Sequence, residues 1–436
     1  MAHLLMVESW VGAMSSLLPR AINEIGHRFT FLTRDLHHYL RSAPAHPHPL
    51  LAADNVLTAE TNDVPALLAH VARLHDVLRF DGVISSCDYY LPTVARIAAH
   101  LGLPGPDPRA VERACRKDLT RTTLRDAGVP GPRFALAEDW PATAGAAAAL
   151  GYPLVVKPVD LCAGMHVRKV RDEEELREAF AALEAFPVNA RDQPRVRTVL
   201  LEELLTGPEV SVETVTAGGE TRVVGVTDKS VAGEPWFVES GHMFPADLPT
   251  DGAEAVAVAA LNALGLDNGV AHTEIKLTPD GPRLVEVNPR PAGNQITELV
   301  RRVTGIDLPA VHAQLAVGER PDLRPADTGV RSAAISFLLP PRSGAVARVR
   351  GAEALADAPD VVDWAVRPPG HRAGDPTSNN SYLGHVVVTD PAGPGARARA
   401  ERLIAGLSVD YAEPGAGNRV GTGTDTTTEA PAEGAA

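Results

Sequence analysis

The sequence predicts a multidomain protein of mixed α/β and α+β class: an N-terminal doubly wound parallel sheet, two α+β lobes after it, and a small C-terminal α+β unit. Three observations predict this. The first hundred residues alternate short apolar runs with helical periods, the rhythm of parallel βαβ units. From residue 153 onward, apolar runs come as neighbouring pairs joined by turn residues, as in antiparallel hairpins. A chain of 436 residues with 44% hydrophobic side chains exceeds what one core organises, so it divides.

In the first lobe, residues 1–105, strands are expected at 3–8, 28–33 and 82–87, and helices around 15–25 and 64–78. The turn Glu8-Ser9-Trp10-Val11-Gly12-Ala13 lacks the three-glycine fingerprint of a dinucleotide site, so none is expected there. The Pro/Gly-rich joint Gly102-Leu103-Pro104-Gly105-Pro106-Asp107-Pro108 closes the lobe, and 109–127 reads as a helical stretch ended by Gly128. A small lobe is assigned to 106–195 and a larger lobe to 196–328, with strands at 153–157, 166–170, 198–202, 210–216, 221–227, 270–277 and 283–288. Residues 329–412, with strands at 333–338 and 385–389 and a helix at 397–405, read as the C-terminal part of the larger lobe. The composition of 413–436 predicts a disordered tail, whose glycines Gly415, Gly417 and Gly421 have no strand or helix around them to form a nucleotide loop.

Formal net charge is −14, with Lys and Arg scattered rather than striped, which argues against nucleic acid as a partner and for small molecules. No apolar run approaches the roughly 20 residues that cross a bilayer, and the first apolar run is too short for a secretory leader. With Cys87, Cys115 and Cys162 unpaired in pattern, a reduced, cytoplasmic setting is expected and the three thiols read as apolar filler. The histidines His37-His38 and His46-Pro47-His48 lack matching carboxylates and read as solvated.

The segment Val270-Ala271-His272-Thr273-Glu274-Ile275-Lys276-Leu277, a turn about Asp280, and Leu284-Val285-Glu286-Val287-Asn288-Pro289-Arg290 reads as one hairpin. Symmetry about Asp280 sets Glu274 opposite Glu286, with Asn288 on the same face, while Thr273, Ile275, Leu277, Val285 and Val287 face the core. Two carboxylates with Cβ atoms roughly 5 Å apart repel unless a cation lies between them. The three oxygen-bearing side chains make a donor set for Mg²⁺ rather than zinc. Such a cation with open positions implies phosphates, and two lysines are placed to meet them: Lys157 at a strand exit before Pro158, and Lys117 at a helix start. In Val199-Leu200-Leu201-Glu202-Glu203-Leu204-Leu205, an apolar strand runs into acids, where a carboxylate accepts from an adenine amine and adjacent backbone reads the ring edge.

These four segments, in this order, resemble the ATP-grasp superfamily over 117–290, with flanking lobes like its usual companions. The resemblance implies ATP and Mg²⁺ (or Mn²⁺) as cofactors. It assigns Lys117 and Lys157 to the phosphates, Glu202 to the adenine amine, and Glu203, Leu204 and Leu205 to the base-reading segment. It assigns Glu209 to the ribose, Glu274, Glu286 and Asn288 to the metal, and Arg290 to the acyl phosphate and tetrahedral intermediate. The loop Val159-Asp160-Leu161-Cys162-Ala163-Gly164-Met165 departs from the superfamily's Gly- and Ser-rich phosphate lid. Within the superfamily, Trp236-Phe237-Val238-Glu239-Ser240-Gly241-His242-Met243-Phe244-Pro245 is similar to the dipeptide-forming L-amino acid ligases of the bacilysin-synthetase type, where Glu239 and His242 would flank the acyl phosphate and the entering amine.

The implied reaction joins a small carboxylate to an amine, giving an amide, ADP and phosphate. Ser85-Ser86-Cys87-Asp88-Tyr89-Tyr90 is expected to line the acyl pocket, and Asn294 either touches substrate or supports backbone. Homodimers are common in such ligases. Two other readings stay open: a biotin-carboxylase-like enzyme acting on bicarbonate, and an ATP-binding regulatory module without turnover.

Overall fold

The computed structural model describes residues 1–9, 12–41, 48–232 and 234–412. The expected tail, residues 10 and 11 of the first turn, and His46 and Pro47 lie outside the described residues.

The first sheet holds β1 (His3–Val7), β2 (Arg28–Thr33), β3 (Asn55–Thr58) and β4 (Gly82–Ile84), all parallel in the order β3-β2-β1-β4. Both faces are covered. The helix Met14–Glu24 packs with the later helix Leu308–Ala316 over Leu4, Met6 and Phe29, and Leu67, Val71 and Val94 cover the other side. The helix Leu308–Ala316 thereby fixes this lobe to the rest of the chain.

The expected helical stretch over 109–127 consists of two helices, Pro108–Cys115 and Lys117–Asp126, because Arg116 adopts extended geometry at φ −106° and ψ 107°. No glycine or proline marks that break. Lys117 opens the second helix, where the sequence placed it, its N–H donating to Val159 O at 2.9 Å.

A second, antiparallel sheet contains β5 (Phe134–Ala137), β6 (Leu154–Pro158), β7 (Arg168–Val170) and β8 (Val199–Glu203) in the order β5-β8-β6-β7. The helices Trp140–Leu150 and Glu173–Glu184 cover its apolar face through Ala147, Leu176 and Leu183.

The large sheet begins with β9 (Glu209–Ala217) and β10 (Glu220–Ala232), joined through Gly218 and Gly219 at φ +58° and +81°, values that favour glycine. It continues with β11 (Val238–Phe244), β12 (Gly269–Thr278), β13 (Gly281–Asn288) and β14 (Ser332–Leu338). Next come β15 (Gly344–Arg350), β16 (Val361–Val366), β17 (Arg372–Ala373), β18 (Gly384–Asp390) and β19 (Ser408–Tyr411). Eight of these form one antiparallel sheet, β13-β12-β9-β10-β11-β14-β18-β16, while β17-β15-β19 stand apart. Residues on both sides of position 328 thus share a sheet. The strand β11 has no counterpart among the expected strands, since its sequence Val-Glu-Ser-Gly-His-Met-Phe alternates poorly.

In the β12–β13 hairpin, Glu274 faces Glu286 and His272 faces Asn288, as symmetry about Asp280 requires. A bulge then slips the register by one, pairing Ile275 with Leu284. The expected core face is corrected accordingly: Leu284 is fully buried beside Ile275 and Val287, whereas Val285 is only partly covered and its carbonyl accepts from Arg121 Nη2 at 2.6 Å. Two facing carboxylates are left at the edge of the core by this one-residue insertion. The helix Ala253–Leu264 packs against the same face through Ala257, Leu261 and Leu264.

Candidate active site

The hairpin carboxylates are each met by a lysine. Lys117 Nζ lies 2.9 Å from Glu286 Oε1 and donates to Leu161 O at 2.7 Å, so the helix start ties the loop at 159–165 to the hairpin. Burial works against the Lys117 charge, but Glu286 outweighs it and the ammonium pKa rises. Glu274 pairs with Lys229, and the His272 Nε2 lies 3.3 Å away. The other imidazole nitrogen meets Glu213 at 3.0 Å; burial opposes protonation, yet Glu213 outweighs it and raises His272 to about 9.

Lys229 escaped the sequence reading. It is buried on β10, in register with Glu209 of β9 and His242 of β11, and its ammonium contacts Glu209 at 3.3 Å, Glu239 at 2.8 Å, and Glu274. Burial disfavours its charge, but the three carboxylates raise its pKa well above the ordinary lysine value. In return, although burial alone would raise Glu239, Lys229 and then His242 hold it well below the usual carboxylate range.

Glu239 Oε2 also lies 3.2 Å from His242 Nε2 and accepts from Asn294 Nδ2; the Glu239 N–H donates to Asn379 Oδ1 at 3.0 Å. The fully buried imidazole of His242 makes no aligned hydrogen bond among the described residues. Glu239, His242 and Asn294 therefore converge, Asn294 at φ +49°.

Lys157 and Glu202 form a second buried cluster. Glu202 holds Lys157 Nζ at 2.6 Å and Arg121 Nε at 2.5 Å; burial would raise its pKa, but Arg121 and Lys157 bring it down to about 2. Glu203 points away and pairs with Arg133 at 2.7 Å. Beyond them lies a cleft of about 500 Å³, lined among others by Leu204, Leu205, Glu209, Lys229, Phe237 and Lys276. Glu209 sits between Lys276 at 3.0 Å and Lys229. The cleft floor needs Gly207, at φ +132°, because a Cβ there would fall 2.0 Å from Leu277 O.

Arg290 forms a two-pronged pair with Asp88, at 2.7 and 2.9 Å, which brings the 85–90 segment of the first lobe to the hairpin exit. Burial opposes its charge, but Asp88 outweighs that and raises the guanidinium pKa. The 159–165 loop is anchored by buried Val159 and Leu161, with Asp160 accepting from Val196 N at 2.5 Å and Arg195 Nε at 3.3 Å.

The donors suit a hard divalent cation: two facing carboxylates and an amide oxygen from neighbouring register positions, each carboxylate now compensated by a lysine. Among the described residues no group of three or more His, Cys, Asp and Glu side chains is placed to hold a metal ion; the donors here are two carboxylates and one amide. Arg121, Lys229, Glu213 and Asn379 are the neighbours that sequence reasoning missed; Asp88 lies in the segment expected to line the acyl pocket, but its pairing with Arg290 was not foreseen. The acid excess facing β10 is the signal that could have found Lys229. No helix among the described residues is long and apolar enough to cross a membrane.

Residues 20–105 match the ATP-grasp N-terminal domain, residues 150–298 the ATP-grasp domain, and residues 336–412 the L-amino acid ligase C-terminal domain 2. The protein y4rH of Sinorhizobium fredii is 32% identical over 385 residues, 86% of this chain and 78% of that one. Human carnosine synthase 1 is 31% identical over 59% of this chain but 33% of its own length, and the alanine–anticapsin ligase of Bacillus subtilis 26% identical over 62% and 61%. The fold is that of the L-amino acid ligase from Bacillus licheniformis: TM-score 0.78, 24% identity, 95% of this chain and 99% of that one. The chain belongs to the ATP-grasp superfamily of ligases and carries the C-terminal domain of its L-amino acid ligases.

Proposed function

We propose that the protein joins the carboxylate of one small amino acid to the amine of another, through an acyl phosphate, with ADP and phosphate released. The observation that carries this reading is the Glu274–Glu286 pair with Asn288, compensated by Lys117 and by Lys229, which also lines the cleft, with Arg290 two residues beyond Asn288 held by Asp88. Relatives named as carnosine synthase and alanine–anticapsin ligase support it.

Glu274, Glu286 and Asn288 would hold Mg²⁺, which when bound neutralises charge on the nucleotide phosphates. The base would enter the cleft beside Leu204 and Leu205, with Glu209 on the ribose and backbone from Glu203 onward reading the ring edge. Lys157 turning from Glu202 toward a phosphate would free one Glu202 oxygen to accept from the base amine. Lys117 would exchange Glu286 for phosphate in the same way.

A substrate carboxylate is unreactive as an acyl donor until its oxygen attacks the γ-phosphorus and becomes part of a leaving group. The charged Arg290 guanidinium would then steady the oxyanion formed when the amine attacks the acyl carbon. Glu239 would hold the incoming ammonium, and His242 would accept the proton it sheds.

The test is release of ADP and phosphate from Mg-ATP across amino acids supplied singly and in pairs, with bicarbonate alongside. Release that needs two amino acids, and disappears in Glu286→Ala, is the expected outcome. Bicarbonate-dependent release, or none with any pair, refutes the reading.

A further inference from the structure

The unit after position 329 reaches the convergence of Glu239, His242 and Asn294 through β14 and through the segment 379–382. Asn379 accepts from Glu239 N at 3.0 Å through Oδ1 and donates its own N–H to Ala163 O at 3.3 Å, so it joins β11 to the 159–165 loop. Three residues on, the Tyr382 ring stacks on Phe337 at 4.1 Å and 8°, and Phe337 meets the His242 imidazole edge-on at 5.6 Å. The aromatic pair therefore backs the convergence of Glu239, His242 and Asn294.

The Tyr382 hydroxyl is buried beside the Asn294 amide, which can donate to its oxygen, and its own proton meets no acceptor in aligned geometry among the described residues. Buried polar groups in folded proteins are usually paired, so this hydroxyl proton, next to Glu239, His242 and Asn294, is available to a partner that arrives with the substrate. Burial pushes the Tyr382 phenol well above its ordinary pKa, Glu239 adds to that push, and Lys229 and Asn294 counter it only in part. The group stays protonated and is a donor. Glu239 is an acceptor for an ammonium, and a phenolic donor near it matches the other end of a zwitterion.

We propose that Tyr382 is a specificity residue of the amine-side pocket: with Glu239 taking the ammonium, its hydroxyl donates to the free carboxylate of the incoming amino acid, while the Phe337–Tyr382 stack walls its side chain. The nucleophile is then an α-amino acid rather than a simple amine, and the C-terminal unit supplies part of the chamber. This inference rests on the ligase reading above.

The experiment uses the full chain with Mg-ATP, a saturating acyl amino acid, and the nucleophile supplied as the free amino acid or as its carboxamide. Wild type should favour the free acid in kcat/KM. Tyr382→Phe keeps the stack and loses the donor, so KM for the free acid should rise about tenfold or more, the size expected for one hydrogen bond to a charged group. The carboxamide and ATP should keep their KM values. A Phe variant that retains the wild-type preference, or loses both nucleophiles equally at unchanged melting temperature, overturns the inference alone. A wild type that releases no ADP with any pair overturns the ligase reading and the inference together.

Discussion

Replacing Glu202 by glutamine removes the carboxylate that neutralises two buried cations. Glu202 is 4% exposed, with Arg121 at 2.5 Å and Lys157 at 2.6 Å. Its pKa is held at about 2 against 4.5 for an unperturbed glutamate, which corresponds to roughly 3 kcal/mol at about 1.4 kcal/mol per pH unit. A depressed carboxylate stabilises the fold above pH 4.5 and loses that contribution as pH falls through about 2. Breaking a buried pair also strands its partners, so the total cost at pH 7 should be about 3–5 kcal/mol. At about 2–4 °C per kcal/mol, the melting temperature should drop by roughly 6–20 °C. The gap between wild type and Glu202→Gln should narrow in scans taken from pH 7 toward pH 3, because below about pH 4.5 unfolded wild type takes up a proton at Glu202 that the folded protein does not, while the variant has no such carboxylate. A drop below about 2 °C at pH 7, or a gap that widens in acid, refutes the assignment of Glu202 as the counter-ion of both cations.

Three further outcomes follow from the same geometry. Leu284→Ala should destabilise by about 2–5 kcal/mol and Val285→Ala by under about 1 kcal/mol in denaturant titrations, because the bulge turns Leu284 inward; the reverse order refutes that register. Lys229→Met should abolish turnover and lower the melting temperature in nucleotide-free buffer, with Mg-ADP recovering part of the loss; equal losses with and without Mg-ADP contradict the role of the shared carboxylates as a cation site. Asp88→Asn should leave KM for ATP unchanged while lowering kcat by about 10–100-fold, since misplacing the reacting geometry costs on that order; an unaffected kcat means that Asp88 does not orient Arg290.

The hairpin pairing of Glu274 with Glu286 was legible because a two-stranded unit with a tight turn is local, and its side-chain period is fixed. The parallel first lobe was legible for a similar reason, each apolar run alternating with a helix. The bulge was not: nothing in Val285 distinguishes it from Val287, and the choice to bury Leu284 belongs to the packing of the helix Ala253–Leu264. Lys229 was hidden in Thr227-Asp228-Lys229-Ser230, which reads as a solvated strand face until the order β12-β9-β10-β11 gathers Glu209, Glu239 and Glu274 around it. The pairings of Arg121, Asp88 and Asn379 were invisible likewise, because each meets its partner across more than 80 positions of chain.

The most direct test of the account labels both oxygens of the acyl-donor carboxylate with ¹⁸O, runs one turnover with Mg-ATP and the second amino acid, and weighs the products by mass spectrometry. An acyl phosphate requires one labelled oxygen in the released phosphate and one in the amide, with ADP as the nucleotide product. Phosphate without label, or AMP and pyrophosphate in place of ADP and phosphate, would contradict it.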